Sequence, residues 1–155
     1  MERKMDVIDD FNGRKIVFIH DIIFKKKQYV EWKDVKEYLK KYAGEVYKVL
    51  SAKEEIYIGA DFSNEYTGSA YTYSVKGASV KAKEIAVQGI LQMIEIATGR
   101  NYDTYFAIPV HASDGEVGYY NVFHASPLIR HSEDGKKYLY DIIDIKKEMS
   151  YPLEP

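Results

Sequence analysis

The stretch TYFAIPVHASDGEVGYYNVFHASPLIRHSEDGKKYLYDIIDIKKE, residues 104–148, decides the fold. In its first segment Phe106, Ile108 and Val110 alternate with Tyr105, Ala107 and His111, the period-two pattern of a half-buried strand. Asp114-Gly115 is a hairpin turn signal, and GYYNVFHA is the returning strand. Pro127 carries no backbone N–H, so it marks a bulge or an edge in that strand. LIRHS continues it, Asp134-Gly135 turns the chain again, and KKYLYDIIDIKKE forms a final long strand. Three strands joined by two short turns make a meander whose register is set locally.

Working outward, the segment before the meander reads as a helix. Ser79 is a candidate N-cap, and Gly99 follows as a stop. Ala82, Ile85, Ala86, Gly89, Ile90, Met93, Ile94 and Ala97 share one apolar face. The small residues Ala82, Ala86 and Gly89 allow close approach to a sheet. Further upstream, EWKDVKEYLKKYAGEVYKV places Trp32, Val35, Leu39, Tyr42 and Val46 at helical spacing, with Gly44 as a stop. EEIYIGADF (54–62) reads as a short strand and NEYTGSAYTYSVKG (64–77) as polar and turn-rich. IVFIHDIIF (16–24), after the Asn12-Gly13 turn signal, reads as a mostly buried strand. The expected fold is therefore α+β: two helices packed on an antiparallel sheet ending in a three-stranded meander, plus an N-terminal strand. Residues 1–10 are expected to form a flexible arm and 11–155 a single domain.

Composition narrows the classes of function. The chain has no cysteine, which excludes a thiolate metal site and a cysteine nucleophile. Its 22 basic and 24 acidic residues give a formal net charge of −2, so no global field drives nucleic-acid binding; a local basic face is still open. Apolar runs such as Ile16–Ile19 are too short to span a bilayer, and MERKMDVIDD is too charged for a secretory signal. Cytoplasmic residence without membrane association is the expectation. Fifteen tyrosines and six phenylalanines favour strands, as a sheet core and rim or as a surface for stacking ligands.

Fingerprints of phosphate loops, dinucleotide folds, zinc helices and serine elbows are absent from the sequence. No spacing of Asp61, Asp103, Asp141 or Asp144 with a histidine singles out a metal site, and no cofactor is expected. His20 lies within a buried strand and reads as a core or edge histidine. His111, His124 and His131 all fall on the meander, where imidazoles titrating near neutral pH can move protons. Arg130 next to His131 can hold a phosphate while the imidazole transfers a proton, provided a bulge or strand end brings both to one face. Lys136 and Lys146 add charge, and Tyr120, Tyr138 and Tyr140 add aromatic faces. Interleaved basic and aromatic strand residues suit single-stranded RNA, or equally protect a sheet edge from pairing.

KAKEIAVQGILQMIEIATG, YFAIPVHASDGEVGYYNVFHA and IRHSEDGKKYLYDIIDIKKEMSYPLE together resemble domains of the large polyvalent proteins of phages and conjugative elements. The resemblance covers about residues 50–155, most visibly in the KYLYDI strand and the IKKE-x-Ser-x-Pro-Leu ending. Several such domains are assigned to the nuclease superfamily that unites barnase, EndoU, colicin toxins and Rel-type toxins. The resemblance implies a helical part followed by an antiparallel four-stranded sheet, and metal-independent cleavage of RNA. It implies His111 or His124 as base or acid, Arg130 as phosphate clamp and Ser150 as a hydrogen-bonding group. The alternative it leaves open is a non-catalytic accessory domain that binds phage or mobile-element proteins.

Overall fold

The computed structural model describes residues 5–9, 13–24, 29–110 and 118–152. His111 and the Asp114-Gly115 turn signal lie outside these residues.

Seven strands form one sheet: β1 (Met5–Asp9), β2 (Lys15–Ile19), β3 (Val46–Val49), β4 (Glu54–Tyr57), β5 (Thr104–Val110), β6 (Tyr119–His131) and β7 (Lys137–Pro152). Their spatial order is β1-β2-β5-β6-β7-β4-β3, and the sheet curls into a half-barrel. The meander β5-β6-β7 is therefore the centre of the sheet and not the whole of it. On one side β2 joins β5 in parallel, Val17 beside Phe106. On the other β4 joins β7 in parallel, Ile56 beside Lys137. Each parallel join carries an antiparallel hairpin, β1-β2 or β3-β4, on its outer side. The expected antiparallel sheet with two helices is thus corrected to a mixed seven-stranded sheet. Parallel neighbours require long crossovers, which leave no short turn in the sequence to announce them.

Two local readings change with it. The first expected helix ends early: α1 spans Trp32–Leu39, a 3₁₀ turn follows at Lys40–Tyr42, and Gly44 takes a left-handed φ of 88°. Val46 onward becomes β3, which buries Tyr47 and Val49 on one face by alternation. Residues 5–9, expected within an arm, are the edge strand β1.

The polar segment after β4 forms two short helices, α2 (Phe62–Gly68) and α3 (Ala70–Ser74). Phe62 and Tyr66 anchor α2 in the core, and the Ser69 hydroxyl caps α3 by accepting from the Thr72 amide. The next helix starts after Gly77, so Ser79 is not its N-cap; the Ser79 hydroxyl instead donates to the Ile145 carbonyl on β7. It runs as α4 (Ala78–Ala86), a 3₁₀ turn at Val87–Gly89, and α5 (Ile90–Ile96). Gly89 lies against β2 so closely that a Cβ there would sit 3.1 Å from Val17 Cγ1. This is the close approach the small residues imply.

All five described helices pack on one face of the sheet. Val17, Ile19, Phe106, Ile108, Phe123, Ala125, Leu139 and Ile145 meet Ile85, Ile90, Met93 and Ile94 there. The opposite face gathers Ile16, Phe18, Ala107 and Val122, with Tyr105, Tyr120 and Tyr151 packed around them, and no described helix contributes to it. Among the described residues, no helix is long and apolar enough to cross a membrane.

Candidate functional site

Alternation along β6 sends Phe123 and Ala125 toward the helices and His124 to the helix-free face. There His124 lies in register with Tyr105 of β5, ring centroids 5.3 Å apart. The loop entering β5 is pinned by two backbone bonds between Thr98 and Asp103. That placement puts Asp103 Oδ1 2.8 Å from His124 Nε2. A carboxylate can only accept, so Nε2 carries the proton of this bond, and the ring's orientation is fixed by it.

Three more groups complete the cluster. Arg14, just ahead of β2, holds its guanidinium 4.3 Å above the Tyr105 ring and donates to Glu148 at 2.9 Å. Glu148 is the extra residue at a β7 bulge, between the pairs Val122–Met149 and Phe123–Lys147. Lys146 faces His124 in register, exposed and without a hydrogen bond or ion pair among the described residues. An imidazole, two carboxylates, a guanidinium and an ammonium are thus carried at neighbouring positions around Tyr105, on the sheet face to which no described helix contributes.

A second pair, His20 Nε2 and Asp6 Oδ2 at 2.9 Å, lies beyond Phe18 at the end of β2. His20 is exposed there, not part of the core. Ile16 stands level with Tyr105, so His20 is four residues, roughly 13 Å, along the strand from the level of His124. The two pairs are separate. Tyr120 packs between Phe18 and Tyr151 on the same face, at 5.2 and 5.4 Å.

The other expected site residues lie elsewhere. Arg130 and His131 are six and seven residues beyond His124, roughly 20 Å along β6 and past two register shifts. The Arg130 guanidinium stacks 3.3 Å over the Tyr140 ring, and its charge opposes the upward push that burial gives Glu65. His131 is exposed, in register with Lys137. Nearby, Tyr138 packs beside Tyr57 and donates to Asp134, and Lys136 sits 4.9 Å over Tyr57. Ser150 donates to Asn121 on the face opposite His124. The proposed clamp Arg130 and hydrogen-bonding Ser150 therefore do not converge on His124. His124 and Lys146 do come together, joined by Arg14, Asp103 and Glu148, which no local motif marks.

A third polar group is sealed from solvent. Lys83 Nζ donates to Asp141 Oδ1 at 2.5 Å and to the Ile142 carbonyl at 2.9 Å, and lies 3.6 Å over the Tyr66 ring. Ser69 donates to the other Asp141 oxygen at 2.6 Å. Burial pushes Lys83 down to about 8, against the pull of the Asp141 carboxylate. With both side chains at most 1% exposed, this network ties α3 and α4 to β7 and admits no substrate. The sequence carries a signal for it: Lys83 interrupts the apolar helix face formed by Ala82, Ala86 and Ile90.

Among the described residues, no group of three or more histidines and carboxylates is placed to hold a metal ion. The fold and site define an α+β domain with a histidine–aspartate pair on the face of a curled sheet to which no described helix contributes. Comparison of the chain with protein-family models, with curated proteins and with solved structures finds no match.

Proposed function

We propose that the helix-free face binds single-stranded RNA and that the cluster around His124 cleaves it without a metal ion, as a domain of a mobile-element protein. The observation that carries this reading is the His124–Asp103 bond, 2.8 Å long, beside Lys146, Arg14 and Glu148. RNA cleavage by transesterification needs one group to take the ribose 2′-hydroxyl proton and another to protonate the departing 5′-oxygen. Glu148 supplies the carboxylate base, and His124, its ring oriented by the hydrogen bond to Asp103, supplies the acid. The 2′-oxygen bonds to phosphorus as the 5′-oxygen leaves, giving a 2′,3′-cyclic phosphate and a 5′-hydroxyl. Lys146 and Arg14 offset the charge that gathers on the phosphoryl oxygens.

The test incubates the protein with end-labelled single-stranded RNA, with tRNA and with ribosome-bound mRNA, all in excess chelator. Cyclic-phosphate ends are expected, absent with 2′-O-methyl RNA and formed far more slowly with His124→Gln. Intact RNA in all three mixtures would sink the reading.

The separation of Arg130, His131, Lys136 and Tyr138 from His124 favours a second reading, a non-catalytic accessory domain. It predicts binding to RNA or to a protein partner that His124→Gln leaves unchanged.

A further inference from the structure

The sheet ends on β1 at one side and on β3 at the other. It has a third open edge, because β4 covers only Lys137 and Tyr138 of β7. Beyond them Lys83, Tyr71 and Ser79 cap the β7 backbone at Ile142 and Ile145, and no described strand flanks residues 146–152 on that side. An open edge is a template for a further strand unless its charges or geometry prevent it. β1 carries Asp6 and Asp9, and the end of β7 carries Lys146 and Lys147, so each sets like charge against a second copy of itself. Around β3 the signs balance, Glu45 and Glu55 against Lys48 and Lys53.

The backbone of β3 is laid out for pairing with itself. The Ile58 amide donates to the Glu45 carbonyl, which fixes the phase: Tyr47 and Val49 exchange hydrogen bonds with β4, and Val46 and Lys48 turn theirs outward. None of these outward groups is bonded among the described residues. The free stretch is closed at both ends, since the Gly44 amide donates to Ile58 and the Leu50 amide to Glu95. Its centre is Tyr47. Val46 and Leu50 beside it are 40% and 61% exposed, apolar surface that the fold leaves uncovered.

We propose that β3 is a self-association edge, at which two copies of the chain pair antiparallel about a two-fold axis at Tyr47. The proposal goes beyond the RNA reading and stands apart from it. In this register Val46 of each copy faces Lys48 of the other, and the amide and carbonyl of each are bonded across the joint. Sliding the strands by two residues brings the engaged Leu50 or Gly44 amide opposite a free group and loses bonds. The Lys48 stem covers Val46 of the second copy. Leu50 comes level with Gly44 of that copy, where a Cβ would meet nothing within 4 Å, so the exposed side chain finds room. Such a joint makes every contact twice and closes on two copies. The axis is normal to the sheet, so the two seven-stranded sheets become one and both helix-free faces point the same way. Two His124 clusters then share one continuous surface.

The experiment combines sedimentation equilibrium of the intact protein, from micromolar to millimolar concentration, with amide exchange followed residue by residue by NMR. The mass is expected to rise from 17.9 kDa toward twice that value. Exchange at the Val46 and Lys48 amides should slow in step with the mass, while the amides of β1 and of residues 146–151 should not change. Val46→Pro, which removes an outward donor at the first residue of an edge strand, should weaken association at least tenfold. Leu50→Lys alters a side chain that is 61% exposed, so it should keep the fold and weaken association as well. A mass that stays at 17.9 kDa up to millimolar concentration, protection that appears on β1 or β7 instead, or association that either folded variant leaves unchanged would overturn the proposal. RNA cleavage enters none of these readouts, so the two readings fail separately.

Discussion

Asp103 and His124 meet at 2.8 Å although 21 residues separate them, because the Thr98–Asp103 bridge fixes one and the β5-β6 register fixes the other. The bond joins a loop residue to a strand residue, and both side chains are partly exposed. Removing the imidazole should cost activity and little stability.

His124→Gln is expected to lower the RNA cleavage rate by about 10² to 10⁴, the usual contribution of a general acid. Asp103→Asn should produce a smaller loss, because the amide oxygen can still accept from the ring and orient it. Both variants should keep the wild-type unfolding free energy to within about 0.5 kcal/mol, since both side chains are partly exposed. Initial rates on a labelled oligonucleotide, set beside urea melts, check both halves.

Lys83 and Asp141 should behave in the opposite way. Asp141→Ala leaves a fully buried ammonium without its partner, and is expected to destabilise the fold by about 3–5 kcal/mol. Lys83→Met should cost less, because Ser69 and the Ile142 amide still donate to the Asp141 carboxylate. A larger loss from Lys83→Met than from Asp141→Ala in urea unfolding would refute this ordering.

The same contrast shows what could be read from sequence. Period-two alternation placed Tyr105 and Ala107 opposite Phe106 and Ile108, and Gly89 marked the helix's contact with the sheet, because both signals are local. Val46 continues the helical spacing of Leu39 and Tyr42, and only its pairing with Tyr57 makes it a strand residue. The parallel joins of Val17 with Phe106 and Ile56 with Lys137 bridge more than 80 residues each, so nothing nearby encodes them. The site divides likewise. His124 and Lys146 were visible as meander residues, whereas Arg14 reaches Glu148 across 134 positions and emerges only once the sheet is assembled. Arg130, grouped with His131 by adjacency, is carried away from His124 by the length of β6.

Gly89→Ala tests the contact between helix and sheet. Alanine favours a helix over glycine by about 1 kcal/mol. Here its methyl would sit 3.1 Å from Val17 Cγ1, on a stiff, fully buried strand residue with Ile19 beside it. Overpacking of this kind costs about 1–3 kcal/mol, so the net effect should be destabilising. A variant as stable as the parent in urea would show that β2 can yield.

Buried titrating groups give the fold a distinctive pH profile. Lys83 is lowered from 10.5 to about 8, chiefly by burial, so between these values the unfolded chain binds more protons than the folded one. Stability must then rise with pH. The cost of burying the ammonium, about 3 kcal/mol for a shift of this size, is fully present below pH 8 and is relieved as pH climbs toward 10. The tyrosines act with opposite sign. Burial raises Tyr47 and Tyr102 to about 12 and pushes Tyr42 and Tyr66 well up as well. Above pH 10 the folded chain therefore holds protons that the unfolded chain releases, and stability falls. Urea unfolding free energies measured from pH 7 to 11 are expected to rise from pH 8, peak near pH 10 and then decline. In Lys83→Met the rising limb should vanish and the decline above pH 10 should persist; a rise that survives in this variant would assign it to another group.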